Sequence, residues 1–186
     1  ILAVDLGTDM VPALALGAEL PSAEVMKRPP RPRGQRLLQV SLLARAYGFL
    51  GILEAVAAMA AFFYVLVAAG WTYGQPISLQ DPMFPVYLQA TTACLSAIVV
   101  MQIVNVYLCR SDRASVFSSS LWSNRLILVG IGAEVLLILA IDYTHWGNQW
   151  FGTAPISLDV WLFVIPFAIG MLMLEEFRKY LARQLS

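Results

Sequence analysis

The sequence predicts an all-α membrane protein built as a bundle of five transmembrane helices. Three observations lead there. First, the chain of 186 residues is 59% hydrophobic and 13% charged, whereas a typical soluble domain is about a quarter charged. Second, its apolar residues gather into long runs, and open strands could not satisfy their backbone in lipid. Third, every Lys and Arg falls outside those runs. The apolar excess excludes a disordered chain. Twelve basic residues against twelve acidic ones give no net charge, which excludes a nucleic-acid binder.

A bilayer core of about 30 Å takes around 20 helical residues. The runs meet that length in order. Residues 1–17 open the chain inside an apolar stretch, so the sequence reads as a piece of a longer protein. Residues 46–70 and 88–109 span directly. Residues 126–141 and 160–174 are shorter and borrow flanking groups such as Trp122 and Phe177, which carries the last helix over 160–177. Along the second run Gly48, Gly51, Ala55 and Ala58 recur at helical spacing, as a close-packing ridge would. Cys94 and Cys109 lie in or beside the third run and read as small packing residues.

The connecting segments alternate in charge. The basic loop 18–45 holds Lys27, Arg28, Arg31, Arg33, Arg36 and Arg45. Residues 110–125 hold three more, and the tail adds Arg178, Lys179 and Arg183. Segments 71–87 and 142–159 hold none. Lys and Arg collect on the cytoplasmic side, so the basic loops and the C-terminus are expected there. Trp71, Tyr73, Tyr87, Tyr143, Trp146, Trp150 and Trp161 then form the outer interfacial belt. Pro29-Pro30-Arg31-Pro32-Arg33-Gly34 reads as a stiff basic linker beside anionic lipid.

Four acids fall inside the apolar runs, the last of which ends at Leu174: Asp5, Asp9, Glu54 and Glu134. One charge at a helix centre costs roughly 2.5–3.5 kcal/mol, so four oppose insertion by about 10 kcal/mol unless protons or cations neutralise them. At about 1.5 Å of rise per residue, Asp9 and Glu134 lie near their span centres. Glu54 lies about 6 Å toward the cytoplasm, Gln102 about 5 Å and Asn105 about 10 Å. Carboxylates and amides from four helices therefore share one slab, and hard cations prefer such oxygens. Interhelical hydrogen bonding alone would also explain Glu54, Gln102 and Asn105. His145, in an outer segment, reads as a solvated side chain.

The first helix is the densest. In Asp5-Leu6-Gly7-Thr8-Asp9-Met10-Val11-Pro12 the polar side chains recur at i, i+3 and i+4, on one face. Pro12 has no N–H and clashes with the carbonyl four residues back. That frees the Thr8 carbonyl for an ion, and with Gly7 it predicts a helix broken near the midplane, as transporters use.

That segment, with Val25-Met26-Lys27-Arg28-Pro29-Pro30-Arg31 after it, resembles the sixth transmembrane helix and following loop of P-type cation-transporting ATPases. Its Asp-Leu-Gly-Thr-Asp form is similar to the sodium/potassium and proton/potassium branch. Ala46-Tyr47-Gly48, Ile98 to Gln102, Ser115-Val116-Phe117 and Glu176 to Lys179 match further on, so the resemblance covers helices six to ten of a ten-helix pump. It implies that Asp5, Thr8 and Asp9 are cation ligands, with Asp5 and Asp9 supplying the charge. It also implies that Gln102, Asn105 and Glu134 are ligand positions of the eighth and ninth helices, with Glu54 a further candidate.

The implied cargo is Na+, K+ or Ca2+. ATP and Mg2+ act on phosphorylation and nucleotide domains upstream, so this chain alone is expected not to be catalytic. Its expected partners are the lipid bilayer and the upstream helices and cytoplasmic domains of the same protein. Asn105 stands where the sodium/potassium branch usually has an acid, which favours a calcium pump as the alternative. Asp5 stands where calcium pumps generally have asparagine, and Ala133 replaces an acid of the sodium/potassium branch. Thr72-Tyr73-Gly74-Gln75 is similar to a patch that meets a β subunit in animal pumps, but the much shorter loop counts against a β partner. The reading from another class is a free-standing polytopic scaffold or passive conduit without ATPase activity.

Overall fold

The computed structural model describes residues 2–19, 38–111, 114–118 and 122–184, with side chains of the first helix described from Met10 onward. The basic cluster from Lys27 to Arg36, with its Pro-rich stretch, lies outside the described residues. Among the described residues six α-helices follow in chain order: α1 (Leu2–Gly17), α2 (Val40–Ala68), α3 (Phe84–Cys109), α4 (Arg125–Tyr143), α5 (His145–Phe151) and α6 (Leu158–Gln184). There is no strand among the described residues.

Four of these helices, α2, α3, α4 and α6, are long and apolar enough to cross a membrane. They turn Ile52, Val56, Val129, Leu136, Ile165 and Ile169 outward, which an aqueous solvent would penalise and hydrocarbon does not. The chain is a multi-pass membrane protein. α1 has 16 residues, a rise of about 24 Å.

The helices outrun the apolar runs because their charged ends are wound too. α2 begins at Val40, inside the stretch expected to be loop, and its segment Ala44–Leu50 is π-helical. Pro85 opens α3, where the missing N–H costs nothing. α6 runs on to Gln184, through Glu175, Arg178 and Lys179.

α3 is the central helix, touching α1, α2, α4 and α6. On one side Ala57 and Ala61 of α2 are fully buried, as are Ala93 and Ala97 of α3. Small residues let two backbones approach where lipid supplies no hydrophobic drive. The expected ridge is displaced: Gly48 and Ala55 are exposed, and the buried small residues are Ala57, Ala58 and Ala61. Val160, Val164, Ala168 and Met171 of α6 close this side. α1 and α4 lie together on the other side of α3.

α1 is one continuous α-helix with Pro12 inside it, which corrects the expected break. Proline removes one N–H and adds one clash, and a single loss leaves the flanking turns bonded. The Thr8 carbonyl still has no N–H at Pro12 to receive.

Candidate cation site

Gly130 of α4 determines how α1 and α4 meet. A Cβ there would sit 3.2 Å from the Pro12 nitrogen and 3.4 Å from Pro12 Cα. Any side chain there would push the α1 backbone back by a few tenths of an ångström. Glu134 follows one turn later on α4, so the contact brings its carboxyl beside the α1 wall.

Between α1, α2, α3 and α4 lies a pocket of about 270 Å³. Its polar lining is Glu54 from α2, Gln102 and Asn105 from α3, and Glu134 from α4. Pro12, Ala13 and Leu16 form the α1 wall. Gln102 and Asn105 reach it together because residues three apart share a helix face. Glu134 is only 1% exposed, and Gln102 Oε1 is inaccessible to solvent with no hydrogen-bond partner among the described residues. An amide oxygen so placed costs free energy until something positive or donating meets it. Asn105 Oδ1 accepts from Cys109 Sγ at 3.4 Å.

Asp5, Thr8 and Asp9 belong to α1, on the turns just before Pro12, and their side chains lie outside the described residues. Among the described residues no three His, Cys, Asp or Glu side chains converge as a metal cluster. His145 is exposed at the start of α5.

Two further polar sites share the side of α3 that faces α1 and α4. Near the C-terminal end of α4, Asp142 is fully buried and accepts from Ser96 Oγ at 2.7 Å. The sequence reading placed Asp142 in a solvated segment. The missed signal is its place eight residues after Glu134, on the same face. α5 caps this end, with Gly147 packed so closely that a Cβ would meet the Ala140 and Ile141 carbonyls at 2.5 Å. At the opposite end, Glu19 accepts from Arg110 Nη2 at 2.6 Å and from Asn124 Nδ2 at 2.7 Å. Burial raises the Glu19 carboxyl, but the Arg110 and Asn124 hydrogen bonds and the Arg110 charge outweigh it, holding it below the ordinary 4.5.

On the far side of α3, a charged cluster closes the α2, α3 and α6 contact. Glu175, fully buried, accepts from Arg45 at 2.6 Å and from Arg178 at 2.8 Å. Lys179, also fully buried, donates to the Leu108 carbonyl at 3.1 Å. Sequence reasoning placed Lys179 in a basic cytoplasmic tail and did not single out Glu175. The α6 stripe Val160, Val164, Ala168 and Met171 continues in register to Glu175 and Lys179, which is the sign that would have found them.

Known proteins are similar to this chain along nearly its whole length. The family described as "Cation transporting ATPase, C-terminus" matches residues 1–181. The human sodium/potassium-transporting ATPase subunit alpha-4 is 30% identical over 99% of this chain. The Drosophila melanogaster sodium/potassium-transporting ATPase subunit alpha is also 30% identical over 99%, and the rat alpha-4 subunit is 28% identical over the same share. The chain spans 20% of the length of each of these relatives. A helical membrane bundle with carboxyl and amide groups on a shared pocket, matched along nearly its whole length, belongs to the C-terminal region of the cation-transporting ATPases.

Proposed function

We propose that this chain is the cation-carrying part of an ATP-driven P-type pump with a sodium/potassium-like ligand set, and that the transported ion is held at the pocket between α1, α2, α3 and α4. The observation that supports this most is the pocket itself, where Glu54, Gln102, Asn105 and Glu134 come from three helices to one cavity. Carboxylate and amide oxygens suit hard cations, Na+, K+ or Ca2+. Asp5, Thr8 and Asp9 complete the set from α1, with the Thr8 carbonyl left unbonded by Pro12. Glu134 and Gln102 supply ligand oxygens in a site from which water is largely excluded, where each interaction with an ion strengthens.

In this reading α1 also crosses the membrane, making five spans with α2, α3, α4 and α6, and the basic segments and C-terminus lie in the cytoplasm. ATP and Mg2+ are used by domains upstream in the same polypeptide. The chain binds the cargo and performs no phosphoryl transfer itself. No β partner and no nucleic acid take part.

The test is phosphoenzyme formation from ATP in vesicles holding the complete protein, titrated with Na+, K+ and Ca2+. Asp9→Asn abolishes the cation dependence. A mutant that keeps it overturns the reading. Activation by Ca2+ alone moves the protein to the calcium reading, which Asn105 favours. A free-standing scaffold shows no phosphoenzyme at all.

A further inference from the structure

The pocket is bordered, at the end where α1 and α3 finish, by a group of residues that do not line it. α1 ends at Gly17 and α3 ends at Cys109. Leu16 and Cys109, at those two ends, both line the pocket. Directly beyond them, Glu19 and Arg110 meet. Arg110 donates to Glu19 Oε1 from Nε at 3.2 Å and from Nη2 at 2.6 Å. Its Nη2 also donates to Ser123 Oγ at 2.6 Å.

Asn124 joins the third helix. Its Oδ1 caps α4, accepting from the Leu126 N–H at 3.0 Å. Its Nδ2 donates to the Ala15 carbonyl at 2.9 Å and to Glu19 Oε2 at 2.7 Å. Both carboxylate oxygens of Glu19 are thus engaged, one by α3 and one by α4. The side chains of Arg110 and Glu19 are 8% and 26% exposed, so water screens the pair less than a fully exposed one.

We infer that Glu19, Arg110 and Asn124 form a latch that positions the α1 wall against α3 and α4, and thereby sets cation affinity without touching the cation. This inference rests on the proposed function of the pocket. The logic is that of groups behind a metal ligand. They fix where the ligands stand, and losing one typically costs about 10–100-fold in affinity. Because Pro12, Ala13 and Leu16 share one helix with Asp5, Thr8 and Asp9, a shift at Glu19 moves the whole ligand-bearing segment. The latch ties only the ends of α1, α3 and α4, so the maximal turnover of a saturated site is not what it controls.

The experiment uses the complete protein in membranes and reads the cation concentration giving half-maximal phosphoenzyme, separately from the maximal level. Glu19→Gln and Arg110→Gln each raise that concentration about tenfold and leave the maximal level unchanged. The exchanged pair, Glu19→Arg with Arg110→Glu, recovers most of the affinity. Half-saturation unmoved in both single variants overturns the latch. So does an exchanged pair no better than the singles, or a fall in maximal level with affinity kept. If Arg110→Gln does not accumulate in the membrane, Glu19→Gln and Asn124→Ala carry the same two readouts and decide alone. Asp9→Asn run in parallel separates the two ideas: cation dependence lost there but unaltered by Glu19→Gln rejects the latch only, while dependence kept in Asp9→Asn rejects the pump.

Discussion

The two sides of α3 solve opposite problems with one helix. Toward α2 and α6, Ala93, Ala97, Met101 and Leu108 are buried to within 1% of complete, and the contact is hydrocarbon along the span, with the charges of Arg45, Glu175 and Lys179 gathered at its end. Toward α1 and α4 the same helix presents Ser96, Gln102 and Asn105, ending in Arg110 just past its last turn. Each of these meets a carboxyl group or shares a cavity with one. The first side is tight because small residues pack without polar debt. The second lines its cavity with carboxyl and amide groups, which in the proposed function await a guest. A helix that is apolar all round would fix the bundle but could not carry an ion.

That contrast can be broken from either side. The largest effect is expected from Ala97→Leu, which overfills the closed side and costs about 1–3 kcal/mol. Thermal inactivation in detergent reads it, and the surviving fraction keeps its half-saturating cation concentration. Glu134→Gln acts on the other side, weakening half-saturation by about tenfold with thermal inactivation little changed. If each variant moved both measurements equally, the division of labour along α3 would be wrong.

Ser96→Ala takes from Asp142 the hydroxyl that donates to it. Losing that buried hydrogen bond costs about 1–2 kcal/mol, again seen as faster inactivation without a change in cation affinity. Asn124→Ala removes a helix cap, worth about 1 kcal/mol, besides any effect on the latch. The smallest effect is that of acid. Glu19 is held below 4.5 when folded, so its contribution is complete above that value and fades as the pH falls through the lower folded value. Glu19→Gln should flatten the acid limb of an inactivation profile there.

The membrane class and the order of the helices were legible because they follow from length and hydrophobicity alone. Helix ends were less so: nothing in the hydropathy of Val40 to Arg45 or of Arg178 to Gln184 separates a wound end from a loop. Pro12 misled for a related reason, since a single proline is compatible with either a break or an uninterrupted helix. The pocket side chains could be assigned to one depth, because Glu54, Gln102, Asn105 and Glu134 stand out against apolar neighbours. Glu19 and Asp142 could not. Acids beside a helix end look solvated until the tertiary fold brings Arg110 or Ser96 to them.

The amine of Lys179 bears on how this protein can be cut. By hydropathy the last span is finished near Leu174, and trimming there would discard an apparently dispensable charged tail. Yet the Leu108 carbonyl, in the final turn of α3, receives its hydrogen bond from Lys179, and Glu175 holds Arg45 at the start of α2. A truncation at Leu174 would open the ends of two other helices. A cut or an inserted tag therefore has to leave Glu175 and Lys179 in place, because these buried charges hold the ends of α2 and α3.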